Sequence, residues 1–147
     1  MYVWANVCRL ETTHGGIMIP ILLALTPTDY THLATAVQME AAPNTLDEQC
    51  VATSILNRVA SPLYPNTVEQ VIYSPGQYEG LQYRKFIPKP SAKVVLRLKD
   101  QEKMRQAYDI IGDRTDFKGQ SMIAYRVEKE DPMCHPQGNF FHYDWQK

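Results

Sequence analysis

Tyr30, Leu33, Ala34, Val37 and Ala41 recur three or four positions apart, the spacing that lines one face of an α-helix. Just ahead of them, Thr26-Pro27-Thr28-Asp29 offers a capping hydroxyl, a proline at the first helical position and an acid in the first turn. A first helix is therefore predicted from Pro27 to about Ala41, closed by Pro43. Val51, Ala52, Ile55, Leu56 and Val59 form a second stripe, and Thr45-Leu46-Asp47-Glu48 before it has the form of a capping box. That helix stops at Ser61-Pro62 and carries Cys50, Thr53, Ser54 and Asn57 on its more polar side. Pro65-Asn66-Thr67 caps a short third helix to about Tyr73, before a turn at Ser74-Pro75-Gly76-Gln77. Residues 79–90 read as loop. Ser91 opens one long helical stretch to Ile111, with Gly112 in the position that commonly ends a helix. Ser121 to Val127 leans towards strand, and the aromatic run Asn139 to Trp145 is its expected antiparallel partner.

These elements predict an α+β fold that is mainly helical, with a small C-terminal antiparallel hairpin or sheet. The 147 residues suit one domain, and neither a repeat nor a linker divides them. The expected division is an irregular lead-in over residues 1–26, turning at Gly15-Gly16, and a single folded unit over residues 27–147.

Composition narrows the function more by exclusion than by assignment. Apolar residues at 44% and charged residues at 21% are ordinary for a folded domain, and the net charge of −1 gives no general attraction to nucleic acid. Between Arg84 and Arg105, eight cations face only Asp100 and Glu102. Lys89, Lys93 and Arg97 fall every four residues there, as a stripe for anionic peptides or as a solvated helix face. Ile17 to Leu25 is apolar but short and broken by Pro20, so no membrane span is expected. No small-x-small cleavage site follows Leu25, which argues against a classical export signal. Cys8, Cys50 and Cys134 cannot all pair with one another and show no CxxC spacing, which reads as the usage of a reducing compartment.

Glu40 stands out among the titratable residues. It lies at the edge of the first helix's apolar stripe and at that helix's C-terminal end. Partial burial and the negative end of the helix dipole both disfavour a carboxylate, so Glu40 is expected to hold a proton as a general acid must. The competing account is a surface glutamate, or one paired with Arg58.

Residues 33–78 add a more specific signal. Glu40-Ala41, Gln49, Leu56-Asn57-Arg58-Val59, Pro65-Asn66-Thr67-Val68 and Pro75-Gly76-Gln77-Tyr78 occur in one order and at one spacing. In this the chain resembles the cell wall hydrolase family of the spore-cortex-lytic enzymes. The resemblance implies a lysozyme-like catalytic domain acting on the glycan strands of peptidoglycan, with Glu40 as catalytic acid. It raises Gln77 and Tyr78 as substrate contacts, with Asn57 and Tyr125 as further candidates. The family's glycine before the acid is Met39 here, and its Arg-Gly-Glu is Ala42-Pro43-Asn44. Its closing glycine, histidine and aromatic segment is echoed by Gly138-Asn139-Phe140-Phe141-His142-Tyr143.

A β-1,4 glycosidic bond breaks when its leaving oxygen is protonated, and hydrolysis also needs a second carboxylate. Asp47, Glu48 and Glu79 are the available acids, with Glu48 assigned to the capping box. A single-acid route is expected instead: Glu40 protonates the leaving oxygen, then takes the proton of the muramic acid C6 hydroxyl as a 1,6-anhydro ring closes. No metal or other cofactor is expected, and the partner is the peptidoglycan glycan strand. The site of action is the bacterial cell wall, reached as a phage-encoded protein or on a carrier or virion assembly. Three alternatives are weighed against this. One is a cysteine peptidase using Cys50 with His135 or His142. Another is a metal site at Cys134, His135 and His142. The third is a catalytically idle wall-binding or structural component of a larger assembly such as a phage tail.

Overall fold

A computed structural model describes residues 24–74, 78, 89–119 and 131–143. Its elements are α1 (Pro27–Glu40), α2 (Leu46–Ala60), α3 (Val68–Ile72), α4 (Ala92–Leu98), α5 (Gln101–Ile111), β1 (Asp116–Lys118) and β2 (Phe140–His142). The expected mainly helical α+β fold is what forms. The lead-in over residues 1–23, the segment Ser121–Val127 and most of the predicted loop at 79–90 lie outside the described residues.

Helix α1 starts as its sequence requires. Thr26 Oγ1 accepts from the Asp29 N–H, Asp29 Oδ2 accepts from the Thr26 N–H, and Pro27 occupies the first helical position. Leu33, Ala34, Ala36 and Val37 are fully buried on it. Asn44, at φ 58°, makes the reversal into α2; asparagine tolerates this left-handed conformation better than most residues.

Helix α2 is the centre of the molecule, buried without interruption from Asp47 to Val59. The sequence suggests one apolar face and one polar face, yet both are covered, so every polar side chain on α2 is pressed to find an internal partner. Thr53 and Ser54 donate back to the Gln49 and Val51 carbonyls, and Gln49 Nε2 donates to the Arg97 carbonyl. The predicted capping box does not form. Thr45 Oγ1 donates instead to the Ala42 carbonyl, and Glu48, 1% exposed, takes a two-pronged ion pair from Arg97 at 2.7 and 3.1 Å. A carboxylate carried inside α2 is better stabilised by a guanidinium than by one backbone amide.

The single long helix expected from Ser91 to Ile111 is two helices. Asp100 caps α5 by accepting from the Lys103 N–H, which ends α4 at Leu98 and turns the chain. Gly112 closes α5 at φ 59°, a backbone state that favours glycine. The basic stripe is therefore not one free face: Arg97 is spent on Glu48, Lys99 lies 5.0 Å from the Tyr30 ring centre, and Arg105 pairs with Glu102 and Asp109.

β1 and β2 pair antiparallel with Phe117 opposite Phe141, so β2 falls within the predicted run while its observed partner is Asp116–Lys118. Phe141 packs into the shared core with Met104, Ala107 and Ile111 of α5. The three cysteines also require correction. Cys50 on α2 and Cys134 form a disulfide across 84 residues, which is chemistry of an oxidising compartment rather than a reducing one. Cys8 lies outside the described residues.

Candidate active site

Glu40 is the last residue of α1, partly buried, between Met39 and Ala41, both of which pack against the core. The last turn of α1 contains no basic residue to offset the helix dipole. Burial raises the Glu40 carboxyl above the ordinary glutamate range. Arg58, the ion-pair partner considered from the sequence, donates to Asp116 Oδ1 at 3.2 Å and to the Thr115 carbonyl at 2.7 Å.

A second element fixes the Glu40 backbone. Asn139 Nδ2 donates to the Glu40 carbonyl at 2.9 Å and to Asp47 Oδ2 at 2.7 Å, while the Asn139 N–H donates to Asp47 Oδ1 at 3.1 Å. One side-chain amide thus joins the end of α1, whose final carbonyls lack helical partners, to the start of α2. Asp47 is fully buried; burial raises its carboxyl, and the Asn139 hydrogen bonds and the nearby His135 charge pull in the opposite direction. The approach of the strand to Asp47 explains Gly138. A Cβ there would lie 2.8 Å from both Cγ and Oδ1 of Asp47, closer than side chains approach. Gly138→Ala is expected to cost about 1–3 kcal/mol by overpacking, as Asn139 is pushed off the Glu40 carbonyl. Denaturation midpoints check this effect, and wild-type stability in the variant would refute it.

The remaining candidates divide sharply. Tyr78 is only 2% exposed, and its ring lies 5.5 Å from the Arg58 guanidinium carbon and 6.2 Å from the Phe117 ring. Among the described residues its buried hydroxyl has no hydrogen-bond partner; burial raises it strongly, the Arg58 charge opposes the rise, and the charges of Asp116 and Glu40 add to it. Asn57 is buried, and Nδ2 donates at 2.8 Å to both the Gly112 and Arg114 carbonyls, which holds the α5–β1 turn on α2. Gln77 and Tyr125 lie outside the described residues, as does Glu79.

Two of the alternatives lose their chemistry. Cys50 is fully buried in the disulfide and has no thiol to act as nucleophile, and Cys134 is committed to the same bond rather than to a metal. Among the described residues, no group of three or more histidine, cysteine or acidic side chains forms a metal site. No helix of the described residues is long and apolar enough to cross a membrane.

Sequence reasoning missed the hub formed by Asn139, Asp47 and Gly138. Its only signal was a glycine followed by a polar residue before an aromatic strand, and the partners lie more than ninety positions apart, at a separation of 92 residues.

Two solved structures share the fold. The catalytic domain of the Bacillus cereus SleB protein is 22% identical with a TM-score of 0.56, over 79% of this chain and 90% of that one. The catalytic domain of the germination-specific lytic transglycosylase SleB from Bacillus anthracis is 21% identical with a TM-score of 0.52, over 80% of this chain and 95% of that one. The architecture is thus the lysozyme-like one of those domains. No curated protein sequence matches the chain. The family pattern described as Cell Wall Hydrolase matches residues 44–139, beginning just after Glu40 and ending on Asn139. Spanning most of the 147 residues, that match means that the chain belongs to the cell wall hydrolase family.

Proposed function

We propose that this protein cleaves the β-1,4 glycan strands of peptidoglycan as a lytic transglycosylase, with Glu40 acting first as acid and then as base. The observation that carries the reading is a partly buried carboxyl at a helix C-terminus, raised by burial, on a residue whose backbone carbonyl is held by Asn139. Glu40 gives its proton to the leaving glycosidic oxygen as the bond to C1 breaks. The resulting carboxylate takes the proton of the muramic acid C6 hydroxyl as that oxygen closes on C1, which restores the acid and consumes no water.

The acids near the start of α2 support the single-acid route over hydrolysis. Both Asp47 oxygens receive hydrogen bonds from Asn139, and Glu48 is sealed under Arg97. Neither is presented to a water molecule as an inverting base or to C1 as a nucleophile. Membership of the cell wall hydrolase family, and the lytic transglycosylase activity of the Bacillus anthracis structural relative, lend the reading further weight.

Within this proposal the catalytic unit is residues 27–147. Gln77 and Tyr125 contact the glycan. Tyr78 serves as a positioning residue packed beside Arg58 and Phe117, and Asn57 as one that holds the α5–β1 turn on α2. The disulfide suits work outside a reducing cytoplasm. Carriage to the wall by a larger assembly such as a phage particle is the route expected from the sequence.

Digestion of purified peptidoglycan followed by mass analysis of the fragments tests the reaction type. Anhydro ends are expected, with the rate falling as pH rises past the raised pKa of Glu40 and the acid loses its proton. Reducing ends would establish hydrolysis. Binding to intact sacculi without release would establish the idle wall-binding module.

A further inference from the structure

One cavity of about 710 Å³ lies away from Glu40, lined by Pro65, Glu69, Gln70, Tyr73 and Ser74. It sits on the outer side of α3, which packs on α1. His32 of α1 braces it: Nδ1 is 3.3 Å from the Tyr73 hydroxyl, and the two rings meet edge to face at 5.5 Å. His32 and Glu40 are eight residues apart on one helix, about 12 Å along its axis. The cavity is therefore separate from the acid but rigidly tied to the helix that carries it.

Its chemistry is that of a sugar site. Tyr73 is 38% exposed, and His32 fixes its orientation through the hydroxyl and ring contacts. Around it stand an amide, a carboxylate and a hydroxyl; among the described residues no lysine or arginine lines the cavity, and His32 Nε2 lies 4.0 Å from Glu69 Oε2. A pyranose ring offers an apolar C–H face to an aromatic ring and equatorial hydroxyls to planar polar side chains, whereas an anionic ligand would meet the exposed Glu69 carboxylate.

We propose that this cavity is an accessory subsite for N-acetylated amino-sugar strands, in which a sugar ring stacks on Tyr73 and is hydrogen-bonded by Gln70 and Glu69. It rests on the reading of the protein as a glycan-cleaving enzyme and adds a hold on the strand beyond the reacting bond. Such a hold serves an enzyme with an insoluble substrate, because it keeps the domain on the polymer between cleavage events.

The test is pelleting of the protein with insoluble peptidoglycan, with turnover measured on short soluble muropeptides in parallel. Tyr73→Ala is expected to weaken pelleting about three- to tenfold while leaving turnover of the short fragments unchanged. Tyr73→Phe, which keeps the ring and loses only the hydroxyl contact to His32, is expected to pellet like wild type. Soluble oligomers of N-acetylglucosamine are expected to compete. Unchanged pelleting by folded Tyr73→Ala, equal loss in Tyr73→Phe, or competition by free stem peptides in place of the sugar oligomers would each overturn the subsite. A wild-type protein that pellets through Tyr73 but releases nothing would instead sink the catalytic reading and leave the subsite standing.

Discussion

Glu40→Gln is expected to lower release of glycan fragments from peptidoglycan by about 10²- to 10⁴-fold, the usual contribution of a positioned general acid. The substitution keeps the size and hydrogen-bonding shape of the protonated side chain and removes only the transferable proton. Fold and wall binding should therefore survive. Stability gives a second readout with a definite sign. Burial makes the folded-state carboxyl hold its proton more tightly than the unfolded one, so its stabilising effect is complete below the ordinary value of 4.5. That effect is lost as pH rises through the raised folded value. Glu40→Gln removes this loss, so the variant is expected to be at least as stable as wild type at neutral pH while nearly inactive. A variant that is both inactive and unfolded would mark Glu40 as structural.

Removal of the Cys50–Cys134 bond is expected to have the largest effect on stability. The bond closes a loop across a sequence separation of 84, for which chain entropy predicts about 4–5 kcal/mol. That is a large share of what holds a domain of this size together. It also anchors the segment that carries Asn139 five positions later, so the loss falls where Glu40 is fixed. Cys50→Ala with Cys134→Ala, or wild type under reductant, should unfold at much lower denaturant and lose activity with it. Coincident unfolding curves with and without reductant would refute this role.

The local chemistry of α1 was readable because its signals are short-range. Thr26, Pro27 and Asp29 lie within one turn, and the stripe from Tyr30 to Val37 needs only its own periodicity. The partial burial of Glu40 was legible for the same reason, since its oddity is its place relative to that stripe. What escaped is non-local. Glu48 fits a capping box by spacing, but the approach of Arg97, 49 positions away, decides its partner. Asp100 was hidden inside an apparently continuous helical pattern, because a cap competes with helix continuation only when packing favours the turn. The disulfide was misread because counting cysteines says nothing of which two the fold brings together. Tyr73 carried no distinguishing signal either: aromatics at this density usually pack inward, and only its placement over a cavity on α3 separates it from Tyr78, which does.

Proton donation by Glu40 depends on the protonation of one side chain, and NMR titration of the Glu40 side-chain carboxyl carbon in the folded protein measures it without reference to substrate. A midpoint clearly above the ordinary glutamate value of 4.5, absent in Glu40→Gln, is the predicted result. A midpoint at or below that value would show a carboxylate already ionised in mild acid and would contradict its role as the proton donor.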